Sequence, residues 1–327
     1  MKIMTRIVLG LVLVFAFLAA GILSSFYFDA ARPEHPVGFQ EVALRNPDGR
    51  LLSASIWYPT DSKPALKFSS AGRPQIVATG GRVVGQQLPL IVISHGGGAP
   101  RESHADTALA LASAGFVVAA IGHTEDETMD THYVTMPHWL ADRPREIHLM
   151  LQYMLNDWTA HRQLDATRVG MFGFSNGGYT ALVSIGGVPN SAKIAAHWKQ
   201  PLSPTGAIPD SVWVHDPIVK AAVIVAPASD YLFEPDGLSH VTVPVQLWSG
   251  SLDRVEPYAT RVAVARRLLP KPPEFHSVAG AGHMTFLAPC PTVMRPLFFC
   301  SDANGFDRNA FHRDFNRSVI AFFRRNL

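Results

Sequence analysis

Cysteine is almost missing from this sequence: Cys290 and Cys300 are the two in 327 residues. Two are too few for a disulfide-stapled scaffold or a four-cysteine zinc site. Charge is scarce as well, at 17% of residues, and 28 basic against 26 acidic side chains leave a net +2. A balance that close to zero argues against a nucleic-acid polyanion as the main partner. The 14 histidines never fall in an H-x-x-x-H or H-E-x-x-H spacing, so the helical zinc motif is missing and no metal is implied. There is no internal repeat and no low-complexity run. With 47% apolar residues, disorder is excluded for most of the chain, and the length suffices for one large core.

Charge is absent altogether between Arg6 and Asp29. Ile7 to Phe28 is an apolar run rich in Leu, Val, Phe and Ala, preceded by Lys2 and Arg6. As a helix it would be roughly 33 Å long, enough to cross a bilayer. A basic start before an apolar run fits a cleaved secretory signal and a retained membrane anchor equally, so residues 1–30 are set apart from a domain over 31–327. The run carries no cysteine for lipid modification. Either reading exports the domain, to the periplasm, the exterior or the outer face of the inner membrane. In that oxidising setting Cys290 and Cys300 are free to pair. Nothing in the sequence fixes an oligomeric state.

The rest of the chain alternates strand and helix signals. Leu51–Tyr58, Leu88–Ser94, Phe116–Ile121, Val169–Phe174, Ala221–Val225, Val243–Trp248 and Glu274–Val278 read as strands, several of them continuous apolar runs as in a sheet covered on both faces. Helices are expected over Ala105–Ala114, stopped by Gly115, over Pro144–Asn156 with proline near the start, over Tyr258–Leu269 and over Phe311–Arg325. The alternation predicts a mainly parallel sheet with helices on both faces, and chemistry at the carboxyl ends of its strands. Arg45–Arg50 reads as a hairpin turn, which makes the earliest strand pair antiparallel. Lys63–Gln87 and the Pro-, Gly-, Ser- and Trp-rich stretch 187–217 read as long loops, the second a lid-like insertion.

Four motifs stand at strand ends. Gly173-Phe-Ser-Asn-Gly177 fits G-x-S-x-G directly after an apolar strand and before a helix start. The glycines give room for a sharp turn that exposes a strained Ser175 at the sheet edge. His95-Gly-Gly-Gly98 ends the strand Leu88–Ser94; the N–H groups of Gly97 and Asn176 are placed to bind a developing oxyanion, worth ~3–4 kcal/mol per donor in comparable sites. No Lys-Ser/Thr follows these glycines, so a phosphate cradle is disfavoured. A serine hydroxyl needs a base beside it, and His283 ends the small-residue loop Ala279-Gly-Ala-Gly282 after a strand. His95 instead shapes its own loop, and His104, His123, His132 and His138 are placed to line a pocket. The base needs an acid: Asp253 follows Val243–Trp248 through a tight turn, and Asp230 is the rival. Gly96, His95, Trp198, Trp213 and Phe233 are candidate substrate-contact residues, with core packing the alternative for the aromatic ones.

These residues resemble the serine α/β-hydrolases of the dienelactone hydrolase-like and platelet-activating-factor acetylhydrolase-like group. The similarity runs from about Leu88 to Leu327, on Pro89–Gly98, Arg143-Pro-Arg-Glu-Ile147, Gly173–Gly178, Gly250-Ser-Leu-Asp253 and Gly280-Ala-Gly-His283. The tail Phe286–Cys290 with Cys300 and Gly305–Arg308 is similar to exported bacterial members. The resemblance implies an α/β-hydrolase fold with a mainly parallel eight-stranded sheet. It implies Ser175 as nucleophile, His283 as base, Asp253 as acid, Gly97 and Asn176 as oxyanion donors, no cofactor, and a small-molecule ester as substrate. True dienelactone hydrolases carry a cysteine nucleophile where this chain has Ser175, and acetylhydrolase relatives place the acid after the preceding strand, where Asp230 stands. A catalytically inactive binding protein of the same fold is an alternative, as is a peptidase, thioesterase or polyester hydrolase.

Overall fold

The structure, a computed structural model, describes residues 2–47, 49–69, 72–127, 138–198, 213–229 and 232–327. A first helix, α1 (Lys2–Asp29), holds the apolar run. The strands that follow are β1 (Val37–Arg45), β2 (Leu51–Pro59), β3 (Ala65–Phe68), β4 (Pro74–Thr79) and β5 (Leu88–Ser94). Then come α2 (Ala105–Ser113), β6 (Val117–Ile121), α3 (Trp139–Gln152), β7 (Leu164–Phe174), α4 (Asn176–Ser184), α5 (Ser191–Trp198) and β8 (Val219–Val225). The chain closes with β9 (Val245–Gly250), α6 (Ala263–Leu268), β10 (Glu274–Val278) and α7 (Arg308–Asn326).

Among the described residues these strands form one ten-stranded sheet in the order β10-β9-β8-β7-β5-β6-β2-β1-β4-β3. From β10 to β6 every neighbouring pair is parallel, and β2 joins β6 and β1 in antiparallel fashion. This is the α/β-hydrolase fold. The expected eight strands become ten because Lys63–Gln87 is not a plain loop: β3 and β4 form a hairpin there. Ser69 N–H donates to the Arg73 carbonyl at 2.8 Å across its turn. The pair is short, interrupted by charge and begun by a proline, so it carries no clear two-residue alternation. The Arg45–Arg50 turn forms as expected, with Asn46 N–H on the Arg50 carbonyl at 2.8 Å.

β5 shows why the core has two halves. All seven of its residues are buried. Leu90 and Val92 enter the cluster on one face, while Ile91 and Ile93 enter the cluster on the other. Side chains alternate across a pleated strand, so a continuous apolar run is what a doubly covered sheet requires.

α3 differs from expectation at its start. It begins at Trp139, which puts Pro144 inside the helix and not at its first turn. A proline there cannot donate to the Leu140 carbonyl one turn back. The Tyr179 hydroxyl of α4 donates to that carbonyl instead, at 3.2 Å. The orphaned acceptor is satisfied, and α3 is tied to the helix that follows the serine turn.

Candidate active site

Ser175 lies between β7 and α4 with φ 56° and ψ −118°, a backbone conformation that L-residues rarely adopt. Its neighbours explain why the turn tolerates it. A side chain at Gly173 would run into the Gly177 carbonyl, and one at Gly177 would run into the carbonyls of Ser94 and His95. One at Gly178 would meet Pro227. The glycines are therefore required by close backbone approach, because the serine turn is wedged against the end of β5. Ser175 N–H donates to the Val225 carbonyl at 2.9 Å, which pins the turn to β8. The Asn176 N–H opens α4, where a helix has no acceptor of its own to offer.

Two strands further along the sheet, β9 ends in the Asp253 turn and β10 in the His283 loop. Asp253 Oδ1 accepts the N–H groups of Val255, at 2.9 Å, and Glu256, at 2.8 Å. Its Oδ2 accepts from His283 Nδ1 at 2.8 Å. A carboxylate can only accept, so Nδ1 carries the proton and Nε2 has a free lone pair. His283 and Asp253 are both buried. Phe174, the residue before Ser175, lies against the His283 ring with centroids 4.7 Å apart. Strands β7, β9 and β10 run parallel within this sheet, so the serine turn, the Asp253 turn and the His283 loop share one edge. The His283 loop is braced from behind: Gly282 N–H donates to Thr285 Oγ1, Thr285 Oγ1 donates to Asp302, and Arg308 donates to Asp302 through Nε and Nη2. Cys290 and Cys300 are joined in a disulfide just beyond, with Cα atoms 5.8 Å apart. A cavity of about 390 Å³ opens beside His283, lined by Leu252, Arg254, Val255, Met284 and Asp302 among others.

The HGGG loop lies on the other side of the serine. A side chain on Gly96 would touch the Phe174 ring and the Ser175 β-carbon. His95 is fully buried; its Nδ1 donates to the Gly96 carbonyl at 2.7 Å and its Nε2 accepts the His123 N–H at 3.2 Å. Burial, with the nearby Arg143 guanidinium, pushes this imidazole far below its ordinary range, so it is neutral. Gly98 N–H donates to Asp126 Oδ1 at 2.6 Å, and Asp126 Oδ2 pairs with Arg143 Nη1 at 3.0 Å. Arg143 Nη2 also donates to the His95 carbonyl. Beneath them Glu146 Oε2 bonds His123 Nδ1 at 2.8 Å, and His123 Nε2 bonds Ser94 Oγ at 2.8 Å. Burial raises the Glu146 carboxyl to about 8.

The structure thus brings Ser175, Asn176, Gly96, Gly97, Asp253 and His283 to one sheet edge. Asp230 and His132 lie outside the described residues, as does most of the stretch 199–212 of the proposed lid; nothing is said of the Trp198 side chain at the end of α5. Trp213 and Phe233 are buried in the larger core cluster. His104 is buried against Phe172 and Phe174. The Asp126, Arg143, His123 and Glu146 network was not foreseen in the sequence, although Arg143 and Glu146 stand in the Arg-Pro-Arg-Glu motif. Among the described residues no group of three or more metal-ligating side chains gathers.

Comparisons with known proteins point the same way. Residues 75–171 match the family model of platelet-activating factor acetylhydrolase, isoform II. A ferulic acid esterase from Streptomyces cinnamoneus is similar in structure, with a TM-score of 0.66, 21% identity, and coverage of 90% of this chain and 91% of that one. As many as 670 solved chains match, so this likeness marks a widespread fold and no particular substrate. Among curated proteins none matches. The chain resembles the serine hydrolase group of acetylhydrolase-like and dienelactone hydrolase-like proteins.

Proposed function

We propose that this chain is a serine hydrolase of small carboxylic esters. One observation carries the reading: a serine held in a strained strand-to-helix turn stands at the same sheet edge as a buried histidine whose tautomer is fixed by an aspartate. A family match among acetylhydrolases and a structural neighbour described as an esterase support it. Ser175 Oγ attacks the ester carbonyl as His283 Nε2 takes its proton. Asp253 holds the imidazole and stabilises the imidazolium. The oxyanion rests on the N–H groups of Gly97 and Asn176. His283 then gives its proton to the leaving alcohol, and a water repeats the sequence to free the acid and restore Ser175. No cofactor enters these steps. The cavity beside His283 is the nearest place for part of the substrate, and its mixed lining suits a moderately polar group. An apolar N-terminal helix and a disulfide support an exported, oxidised setting.

The test is the intact mass of the protein after fluorophosphonate treatment, with ester turnover measured alongside. Wild type is expected to gain one adduct, and Ser175→Ala none. Turnover in Ser175→Ala is expected to fall by several orders of magnitude with the fold kept. An unlabelled, folded wild type or undiminished turnover in the variant overturns the assignment.

A further inference from the structure

We propose that His95 and Asp126 are positioning residues that aim the Gly97 N–H into the active site by gripping the peptide groups on either side of it. The inference rests on the hydrolase reading above, and it concerns how that site is built.

Three glycines in a row have no conformational memory of their own. Each peptide plane of the loop can rotate through angles closed to other residues, so an N–H needed in one direction must be held there. Two side chains do this. The carbonyl of Gly96 and the N–H of Gly97 belong to one trans peptide and point in opposite directions. His95 Nδ1 donates to that carbonyl at 2.7 Å, and Ala99 N–H donates to it at 3.1 Å. With its carbonyl drawn inward to the buried imidazole, the same plane turns the Gly97 N–H outward. The next plane is fixed by its other end: Gly98 N–H donates to Asp126 Oδ1 at 2.6 Å. Gly98 is thereby taken out of consideration as an oxyanion donor. Among the described residues the Gly97 N–H meets no acceptor. Gly97 is also only half-buried, whereas Gly96 is buried, so its N–H has access to a ligand.

Both grips are themselves fixed. The His123 N–H donates to His95 Nε2, so the proton of the neutral imidazole is on Nδ1, where the Gly96 carbonyl needs it. The groups that face His95 are Arg143, whose Nη2 takes the His95 carbonyl, and the His123 ring at 5.1 Å. Arg143 joins the two grips, because its other nitrogen pairs with Asp126. All four side chains are almost wholly buried. A clamp without solvent in it reorganises little when charge develops on the bound oxygen, which is what an oxyanion site requires.

The test compares His95→Ala and His95→Asn in the full chain. The Asn amide N–H lies where His Nδ1–H lies and keeps the donor to Gly96; Ala removes it. The readout is the ratio of turnover for an oxoester to that for its thionoester, since sulfur is a poor acceptor and a thionoester gains little from an oxyanion donor. Wild type is expected to favour the oxoester strongly. His95→Ala is expected to lose about 100-fold in kcat on the oxoester, with KM little changed, and to lose at least about tenfold of the ratio, the size of one missing donor. His95→Asn is expected to hold the ratio within about threefold of wild type, although it leaves the His123 N–H without its acceptor and so lowers stability by roughly 1–3 kcal/mol. A merely structural role would lower kcat for both esters in step and leave the ratio alone. An unchanged ratio in folded His95→Ala, or a collapsed ratio in His95→Asn, overturns the proposal. Should the Ala variant fail to fold, His95→Leu fills the same space without a donor and is read in its place, while the Asn variant still decides alone. Failure of the hydrolase reading looks different: wild type then takes no fluorophosphonate adduct at Ser175 and no oxoester turnover exists to compare.

Discussion

At the scale of single residues, the G-x-S-x-G motif has a backbone explanation for each glycine. The serine turn and the end of β5 approach so closely that Gly173 and Gly177 have no room for a β-carbon. That much is legible in the sequence, because glycine spacing around a serine encodes a turn. The acid and base were legible too, as loop residues after parallel strands. The buried polar layer beneath them was not. Glu146 is sixteen residues from any motif residue except Arg143, and only the folding of α3 against β6 brings it to His123. Its carboxyl is raised to about 8 by burial, so near neutrality it is protonated and donates to His123 Nδ1, whose Nε2–H then donates to Ser94 Oγ. The sign of the pH effect follows. A folded-state value above the unfolded one means that the folded protein binds the extra proton. The stabilisation is complete below about 4.5, the ordinary carboxyl value, and is lost as pH rises through about 8. Glu146→Gln has no proton to lose. Unfolding free energy of wild type is expected to fall relative to Glu146→Gln by up to about 1.4 kcal/mol per pH unit across that window. Denaturant titrations at several pH values measure it, and parallel profiles would refute the protonated assignment.

At the scale of elements, the segment between β10 and α7 does the most for the candidate base. It has almost no regular structure, being a string of single 3₁₀ turns over His283–Phe286, Thr292–Met294 and Phe298–Cys300. Such a segment has few backbone ladders to hold it, so its order comes from side chains: the Thr285–Asp302–Arg308 chain, His312 reaching the Thr285 carbonyl at 2.8 Å, and the disulfide. His312 is in turn bonded to Asp106 of α2. Burial alone would raise that carboxyl, but the charge and hydrogen bonds of His312, with Asn316, outweigh it and hold it at about 2. The sequence announces α7 by its apolar periodicity and leaves the preceding segment unread, because irregular backbone has no period to detect. β3 and β4 were missed for a related reason, being too short to alternate. The disulfide closes a loop with a sequence separation of 10. Loop-closure entropy for about that length is worth roughly 3 kcal/mol. The double variant Cys290→Ser with Cys300→Ser is expected to lose about that much unfolding stability, and to lose ester turnover at temperatures well below its own global midpoint, since the loosened segment carries His283. Reduction of wild type with a thiol should copy the effect. Equal stability with and without the bridge would show that the side-chain bonds alone order the segment.

At the scale of the whole molecule, two bodies of opposite character meet at one point. The helix from Arg6 to Asp29 is apolar and not buried, with side chains such as Phe15, Phe17 and Phe28 open to the surroundings. The domain has its own complete core on both faces of the sheet. The join is narrow: Asp29 accepts the Thr292 N–H at 2.7 Å, Phe26 meets Phe68 edge-on at 5.3 Å, and Ala31 bridges to Gln75. A helix with apolar side chains all round belongs in lipid or in a partner's core, and nothing in this domain offers it either. Removing it should therefore subtract membrane affinity and little else. A chain starting at Asp29, which keeps the Thr292 and Gln75 contacts, is expected to remain in the aqueous phase after ultracentrifugation, whereas the chain from Met1 partitions with membranes or detergent. Its unfolding free energy is expected to match that of the full chain to within about 1 kcal/mol, because only the Phe26–Phe68 contact is lost. Its fluorophosphonate labelling rate should be unchanged, since no residue of α1 lies among those placed at the sheet edge. A truncated chain that unfolds, or labels many times more slowly, would mean that the helix is part of the domain's architecture and not only its tether.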